Sequence, residues 1–492
     1  MNSKDAPVKV LNVTVEMAPL AKQGGLGDVL GALPKALRYK SVDARVLLPV
    51  FPGVMECVER NGYECSALPR EIHVALDWRV YSARVYLAEV EGVPVYLLEN
   101  GKLFDNPAIY PQSLSAASVM PFAFLSMAAF EIPAVTEWKP DIFHVHDWPV
   151  AILPIALRWH RHYRALRSDY DVVLTIHNMA HQGIVDPSML TSWGITREAF
   201  SIDGVEYHSQ SNILKGGAIA SDAITTVSPR YSWDIQTPEG GFGLHGVFGG
   251  MKGKLSGILN GIDYDVWSPK NDALIPARYG ADDMSGKAEC RKRLVETCHW
   301  EDDGKPIAAF VGRLVQQKGI DILFTMLDRF MPDNCRAVAI GSGMPQYEDW
   351  ARRFARMYPD CFWCCIGFDD ELAHLAYAGS DIIVMPSLFE PCGLSQLIGM
   401  SYGSVPVVRG TGGLADTVID FDGSHDGTGF VFSDYSADEL LKAMRRAIDA
   451  FRDKDRWNAL IKNTMSSDFS WNKSTLSYTE LYNGLRSGEL PS

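Results

Sequence analysis

Two cations, Arg313 and Lys318, stand five residues apart in this 492-residue chain, where an apolar strand pattern gives way to a helix pattern. At such a junction the helix N-terminus adds its own positive field, so the pair suits an anion such as a diphosphate. A solvated surface pair is the plainer alternative. Lys22 precedes Gly24, Gly25, Gly27 and Asp28 at the mouth of another helix pattern, and glycines there let a phosphate approach backbone N–H groups. With Gly31 the run mimics a dinucleotide fingerprint, yet Asp43 precedes the second strand instead of ending it, which speaks against a nicotinamide. A strand-to-helix turn that needs only glycine's freedom reads the same way.

Glu390, within Ser387-Leu-Phe-Glu-Pro-Cys-Gly-Leu-Ser395, stands just before a further helix pattern. Its carboxylate can accept sugar hydroxyls or cap the helix. His144, His146, Asp147, His177 and His181 have spacings a metal could use, but they read better as strand-end side chains that hydrogen-bond a ligand or loop. No metal is therefore expected. Cys361 and Cys364 have metal-like spacing too, but with Phe362, Trp363 and Ile366 around them they read as a buried strand.

These residues need strands and helices to bring them together. Short apolar runs at 8–15, 44–50, 94–98, 141–145, 172–176 and 223–227 read as strands of a first unit, and 307–311, 337–340, 362–366, 382–385 and 405–408 as strands of a second. Helical patterns alternate with them, so the class is α/β with mostly parallel sheets. The polar runs follow strands, and in open parallel sheets ligands bind at the carboxyl ends, so a cleft between two domains is the expected site. Residues 239–261, rich in glycine and sustaining neither period, read as the hinge.

Composition sets outer limits. Hydrophobic residues make up 47% and charged residues 22%, as in globular proteins. A formal charge of −14 repels phosphate backbones and anionic lipid, so neither nucleic acid nor membrane is an expected partner. The uncharged stretch 106–130 is long enough to span a bilayer, but Pro107, Pro111 and Pro121 reduce it to a core helix over 119–130. Nine cysteines without framework spacing and an N-terminus with no targeting pattern suggest the cytoplasm.

Several runs in order resemble one family. They are Lys22-Gln-Gly-Gly-Leu26 with Asp28, His144-Val-His-Asp-Trp148, Thr175-Ile-His-Asn178 with Gln182-Gly183, and Leu259-Asn-Gly-Ile-Asp263. Arg313-Leu314 with Gln317-Lys-Gly319, Phe389-Glu-Pro-Cys-Gly-Leu394 and the run from Arg409 to Thr417 continue the series to Phe469-Ser-Trp471 and Leu481-Tyr482. Together they look like the bacterial glycogen synthases and plant starch synthases. The resemblance implies a GT-B fold, two Rossmann-like domains facing a deep cleft. It places an acceptor-side domain at 1–250, a nucleotide-sugar domain at 251–468, and a helix at 469–492 crossing back onto the first. It implies a retaining transfer of glucose from ADP-glucose to the non-reducing end of an α-1,4-glucan, with no cofactor; it leaves the oligomeric state open.

Carried onto this sequence, the resemblance makes His177, Arg313, Lys318 and Glu390 catalytic. Lys22, Gly24, Gly25, Asp28, Asp147, Asn260, Cys392, Gly393, Gly412 and Gly413 become substrate-binding. The chain departs from the family at Ala117–Pro121, where many relatives carry Asp-Asn and then Arg-Phe, at Gln23 in place of Thr, and at Phe368 in place of Tyr. The first of these gives its only support to a second possibility, a non-catalytic glucan-binding or regulatory homologue of the same fold.

Overall fold

The structure, a computed structural model, describes residues 6–331, 333–367, 369–422 and 426–489. Phe368 lies outside the described residues. The chain forms two compact units: 1–227 with 232–261 and 471–492, and 228–231 with 262–470.

In the first unit a ten-stranded sheet runs Leu255–Gly257, Ala223–Thr226, Asp171–Ile176, Ile142–His146, Lys9–Val13, Asp43–Pro49, Val93–Glu99, Arg79–Val90, Cys65–Ala67, with Ile72–Leu76 paired to Arg79–Val90. Pairing is parallel from Leu255–Gly257 to Val93–Glu99 and antiparallel beyond. The parallel strands are apolar almost throughout because helices cover both faces; Val10, Leu11, Val13, Val173 and Leu174 are fully buried. The antiparallel strands lack the continuous apolar runs that mark the parallel ones, for their side chains alternate between buried and exposed. Strand order reverses between Lys9–Val13 and Ile142–His146, so the loops after these strands flank the crevice where such sheets bind ligands.

In the second unit six parallel strands run Phe362–Ile366, Arg336–Gly341, Ile307–Val311, Ile382–Met385, Val405–Arg409, Phe430–Phe432. Numbered along the chain this is 3-2-1-4-5-6, the Rossmann order, with its reversal between Ile307–Val311 and Ile382–Met385. One face packs against the helices Ile320–Phe330 and Ala437–Arg452 through Phe324, Leu327, Leu440 and Met444. The other packs against Ser285–Thr297 and Asp370–Gly379 through Leu294 and Ala376. Cys361 is buried just ahead of the strand Phe362–Ile366, and all nine cysteines are free thiols.

Two expectations need correction. Residues 239–261 are not a featureless hinge: they hold the helix His245–Gly249 and the strand Leu255–Gly257, which pairs with Ala223–Thr226 at the edge of the first sheet. The boundary placed at 250/251 therefore moves to 261/262. The last helix, Trp471–Ser487, belongs to the first unit, where Tyr482 OH meets buried His144 Nδ1 at 2.8 Å. The apolar stretch is a helix over Ala116–Ala128, opened by a Ser115–Ser118 capping box and continued by a 3-10 turn to Glu131. Ala116–Val135 is long and apolar enough to cross a membrane by length and composition, but Phe122, Phe124, Leu125 and Met127 lie buried in the first unit, as a core helix requires.

Candidate active site

Each unit gathers polar side chains at its point of strand-order reversal. In the first, the chain leaves Lys9–Val13 and returns through a tight loop into the helix Gly25–Tyr39. Buried Glu16 organises that loop: its Oε2 accepts the N–H groups of Gln23 (2.6 Å) and Gly24 (2.8 Å), and its Oε1 accepts Tyr110 OH (2.7 Å). A carboxylate beside a helix N-terminus is favoured by the helix dipole, and it consumes two amides that the sequence offered to a phosphate. Gly24 thus offers a ligand open space, with nothing within 4 Å of where a Cβ would sit, but not its N–H. Lys22 pairs with Asp28 at 2.6 Å, both side chains about one-third exposed. Gly27 is required for another reason: a Cβ there would meet Lys22 Cγ at 2.9 Å.

The neighbouring strand ends carry the histidines. Asp147, at φ +63°, accepts the backbone N–H of His177 at 2.7 Å and of Asn178 at 3.3 Å. Burial pushes the Asp147 carboxyl up to about 7, with those N–H groups opposing the rise and the Glu16 carboxylate adding to it. His146 Nδ1 faces His177 Nε2 at 3.1 Å, and His146 Nε2 faces Asn12 Oδ1 at 3.3 Å. Burial lowers His177 to about 3 and His146 well below its ordinary value, so both imidazoles are neutral. His144 serves packing instead: its nitrogens meet Tyr482 OH and Thr175 Oγ1. Asn260 follows the edge strand, buried, with its N–H on the Val227 carbonyl and its Oδ1 without a hydrogen-bond partner among the described residues.

The second unit brings its predicted residues together more tightly. Lys318 closes a 3-10 turn after Ile307–Val311, and its Nζ meets Glu390 Oε2 at 2.6 Å. Glu390, 4% exposed, also accepts Ser387 Oγ at 2.9 Å. Arg313 stands exposed on the same turn and reaches Gln317 Oε1 at 3.5 Å. Two cations and one carboxylate leave a net single positive charge in front of a helix N-terminus, a modest anion site. Gly412, at φ +46°, and Gly413 press against the Glu390 and Cys392 carbonyls, where any side chain would collide. The Gly413 N–H bonds the Glu390 carbonyl at 3.1 Å. Gly393, at φ +75°, leaves no room for a Cβ beside Gln396, whose Nε2 ties the Cys392 and Gly393 carbonyls at 3.0 and 2.9 Å.

Glu16, Ser387 and Arg409 are supporting residues to which the sequence assigns no role. Arg409 Nη1 holds the Leu388 carbonyl at 2.6 Å and so supports the turn that presents Glu390. The signal for Glu16 was present: a lone acid directly after a strand of apolar residues, just ahead of a glycine run, is a loop anchor.

Known proteins resemble this chain along its length. The family description "Starch synthase catalytic domain" matches residues 9–249, and "Glycosyl transferases group 1" matches 299–464. A glycogen synthase of Anaeromyxobacter sp. is 39% identical over 481 residues, covering 97% of this chain and 99% of the relative. One from Thermotoga petrophila is 39% identical, covering 96% and 98%. The catalytic domain of starch synthase IV from Arabidopsis thaliana, solved with ADP and acarbose, superposes with a TM-score of 0.90 at 32% identity, covering 98% of this chain and 99% of that one. Sucrose-phosphate synthase from Thermosynechococcus elongatus, at 16% identity, 98% and 100% coverage and a TM-score of 0.61, shares the fold.

Proposed function

The chain belongs to the glycogen and starch synthase family of glycosyltransferases, glucose-transferring enzymes of the GT-B fold, and on that premise we propose that it moves glucose from ADP-glucose to the non-reducing end of an α-1,4-glucan with retention. The observation that carries the donor side is the Arg313–Lys318–Glu390 group at the reversal point of the Rossmann-ordered sheet. Cleaving a glycosyl–phosphate bond builds negative charge on the departing diphosphate, and preorganised cations stabilise it. Arg313 and Lys318 take that role. Glu390, relieved of part of its charge by Lys318, accepts sugar hydroxyls, with Cys392, Gly393, Gly412 and Gly413 shaping the wall beside it.

In the first unit His177 takes the transferred sugar, and Asp147 orients its backbone. Gly24 and Gly25 admit the ligand closely, Lys22 and Asp28 border it, and Asn260 is a further binding residue. The acceptor hydroxyl attacks from the face the diphosphate leaves, with the diphosphate taking its proton. ADP as the nucleotide and an oligoglucan as acceptor are supported by the Arabidopsis neighbour, which was solved bound to ADP and acarbose. Nine free thiols support a reducing, cytoplasmic setting. The non-catalytic alternative is not favoured, since the relatives are synthases and Arg313, Lys318 and Glu390 are all present.

Labelled glucose incorporation into glycogen from ADP-, UDP- and GDP-glucose, run side by side, tests the reading. Transfer with ADP-glucose at the highest kcat/KM is expected. No transfer from any donor would overturn the activity, and a UDP-glucose preference would overturn the nucleotide.

A further inference from the structure

Asn12, His146 and His177 in the first unit form a chain that admits one set of protons. Asn12 donates Nδ2 to the Arg45 carbonyl at 3.1 Å, so the atom it turns to His146 Nε2, 3.3 Å away, is its oxygen. An amide oxygen only accepts, hence His146 carries its proton on Nε2. Its Nδ1 then holds a lone pair and faces His177 Nε2 at 3.1 Å. Two imidazole nitrogens in contact need one proton between them, and here only His177 can supply it. His177 is therefore protonated on Nε2 and bare on Nδ1. Asn12 and His146 are both fully buried, so no solvent molecule can replace a lost partner cheaply. The Asp147 carboxylate fixes the backbone of the same residue at 2.7 Å.

We propose that Asn12 and His146 are positioning residues that lock His177 as its Nε2–H tautomer, leaving Nδ1 as an acceptor for a hydroxyl of the bound sugar. The ligand in that statement rests on the glucosyl-transfer reading above; the tautomer does not. The other tautomer would present an N–H at Nδ1, so that a sugar hydroxyl there would have to accept rather than donate and lose its O–H partner. Asn12 lies four residues before Glu16 on the strand that feeds the glycine loop, so one strand sets both the loop and the imidazole.

Ring ¹⁵N NMR of the full chain labelled at histidine reads the tautomer directly, with His177→Gln identifying the signals. A protonated Nε2 and unprotonated Nδ1 on His177 are expected. Asn12→Leu removes the acceptor for His146; His177 should then shift toward the Nδ1–H form, and kcat/KM should fall about tenfold or more. Asn12→Asp, whose protonated carboxyl still donates to the Arg45 carbonyl and accepts from His146, should keep both the tautomer and most activity. An Nδ1–H signal in the unsubstituted protein, or an unchanged tautomer in a folded Asn12→Leu, overturns the proposal. If Asn12→Leu does not fold, the unsubstituted spectrum and Asn12→Asp still decide it. A protein that transfers no glucose yet shows Nε2–H on His177 would sink the functional reading and leave this one standing.

Discussion

Arg313 and Lys318 carry like charge on one turn but differ in what their removal leaves behind. Arg313 is exposed and, among the described residues, hydrogen-bonds only the neutral Gln317 amide, so Arg313→Ala should leave stability unchanged. If it stabilises charge as the bond to phosphate breaks, kcat should fall about a hundred- to a thousand-fold, the usual effect of losing one preorganised donor. A kcat within about threefold of the parent would mean a solvated surface residue, since such a factor is worth only ~0.7 kcal/mol of barrier. Lys318→Ala is a different experiment, because it strands a carboxylate 5% exposed. Leaving one member of a buried pair alone typically costs about 3–5 kcal/mol. Urea melts should show that loss for Lys318→Ala and its recovery in Lys318→Met with Glu390→Gln, while kcat stays low in both. Equal stability of all three proteins would argue that the pair is solvated.

The strand ends Ile142–His146 and Asp171–Ile176 concentrate neutral histidines, and this makes the first unit acid-sensitive. His144 and His177 are each lowered to about 3 by burial, and His146 lies well below its ordinary value. In the unfolded chain they take up protons near pH 6.5. A depressed folded pKa means the stabilisation is whole above the unfolded value and is lost as pH falls from 6.5 toward the folded pKa. Asp147, raised to about 7, works the other way and gains as pH falls from 7 toward 4. Three histidines outweigh one carboxylate, so the urea midpoint should drop between pH 6.5 and 5, before ordinary carboxylates titrate. A flat midpoint over that window would show that the imidazoles are solvated. Elements also fix the glycines of the second unit: Gly412→Ala must leave φ +46° or push against the Glu390 carbonyl. Strain of that kind costs about 1–3 kcal/mol, and the displaced turn should lower donor affinity, read as KM.

At the scale of the molecule, the positive groups proposed for the diphosphate are side chains of the protein, Arg313 and Lys318, beside the N-terminus of the helix Ile320–Phe330. Activity should therefore survive exhaustive treatment with EDTA, assayed by glucose incorporation. Loss of activity restored by a divalent ion would overturn the protein-only account of leaving-group stabilisation. The net charge of −14 should also make association with anionic phosphoester ligands salt-sensitive, because attraction comes from one local cluster within a repelling field.

Amino-acid order alone determined the parallel strands of both sheets except the short edge strands Leu255–Gly257 and Phe430–Phe432, because strands buried on two faces must be apolar runs, and it determined which polar runs follow them. It also held the family, through long motifs in order. Other features needed the folded chain. The hairpin Ile72–Leu76 with Arg79–Val90 was illegible because half of each strand faces solvent and breaks the apolar run. Leu255–Gly257 is only three residues among glycines, and pairing with Ala223–Thr226 makes it a strand. The union of Lys318 with Glu390 spans 72 residues and that of His144 with Tyr482 spans 338. Such partners have no local signature: whether a cation is half-neutralised, an amide already taken by Glu16, or an imidazole held in one tautomer depends on atoms that only chain crossings bring within 3 Å or so, the reach over which hydrogen bonds act.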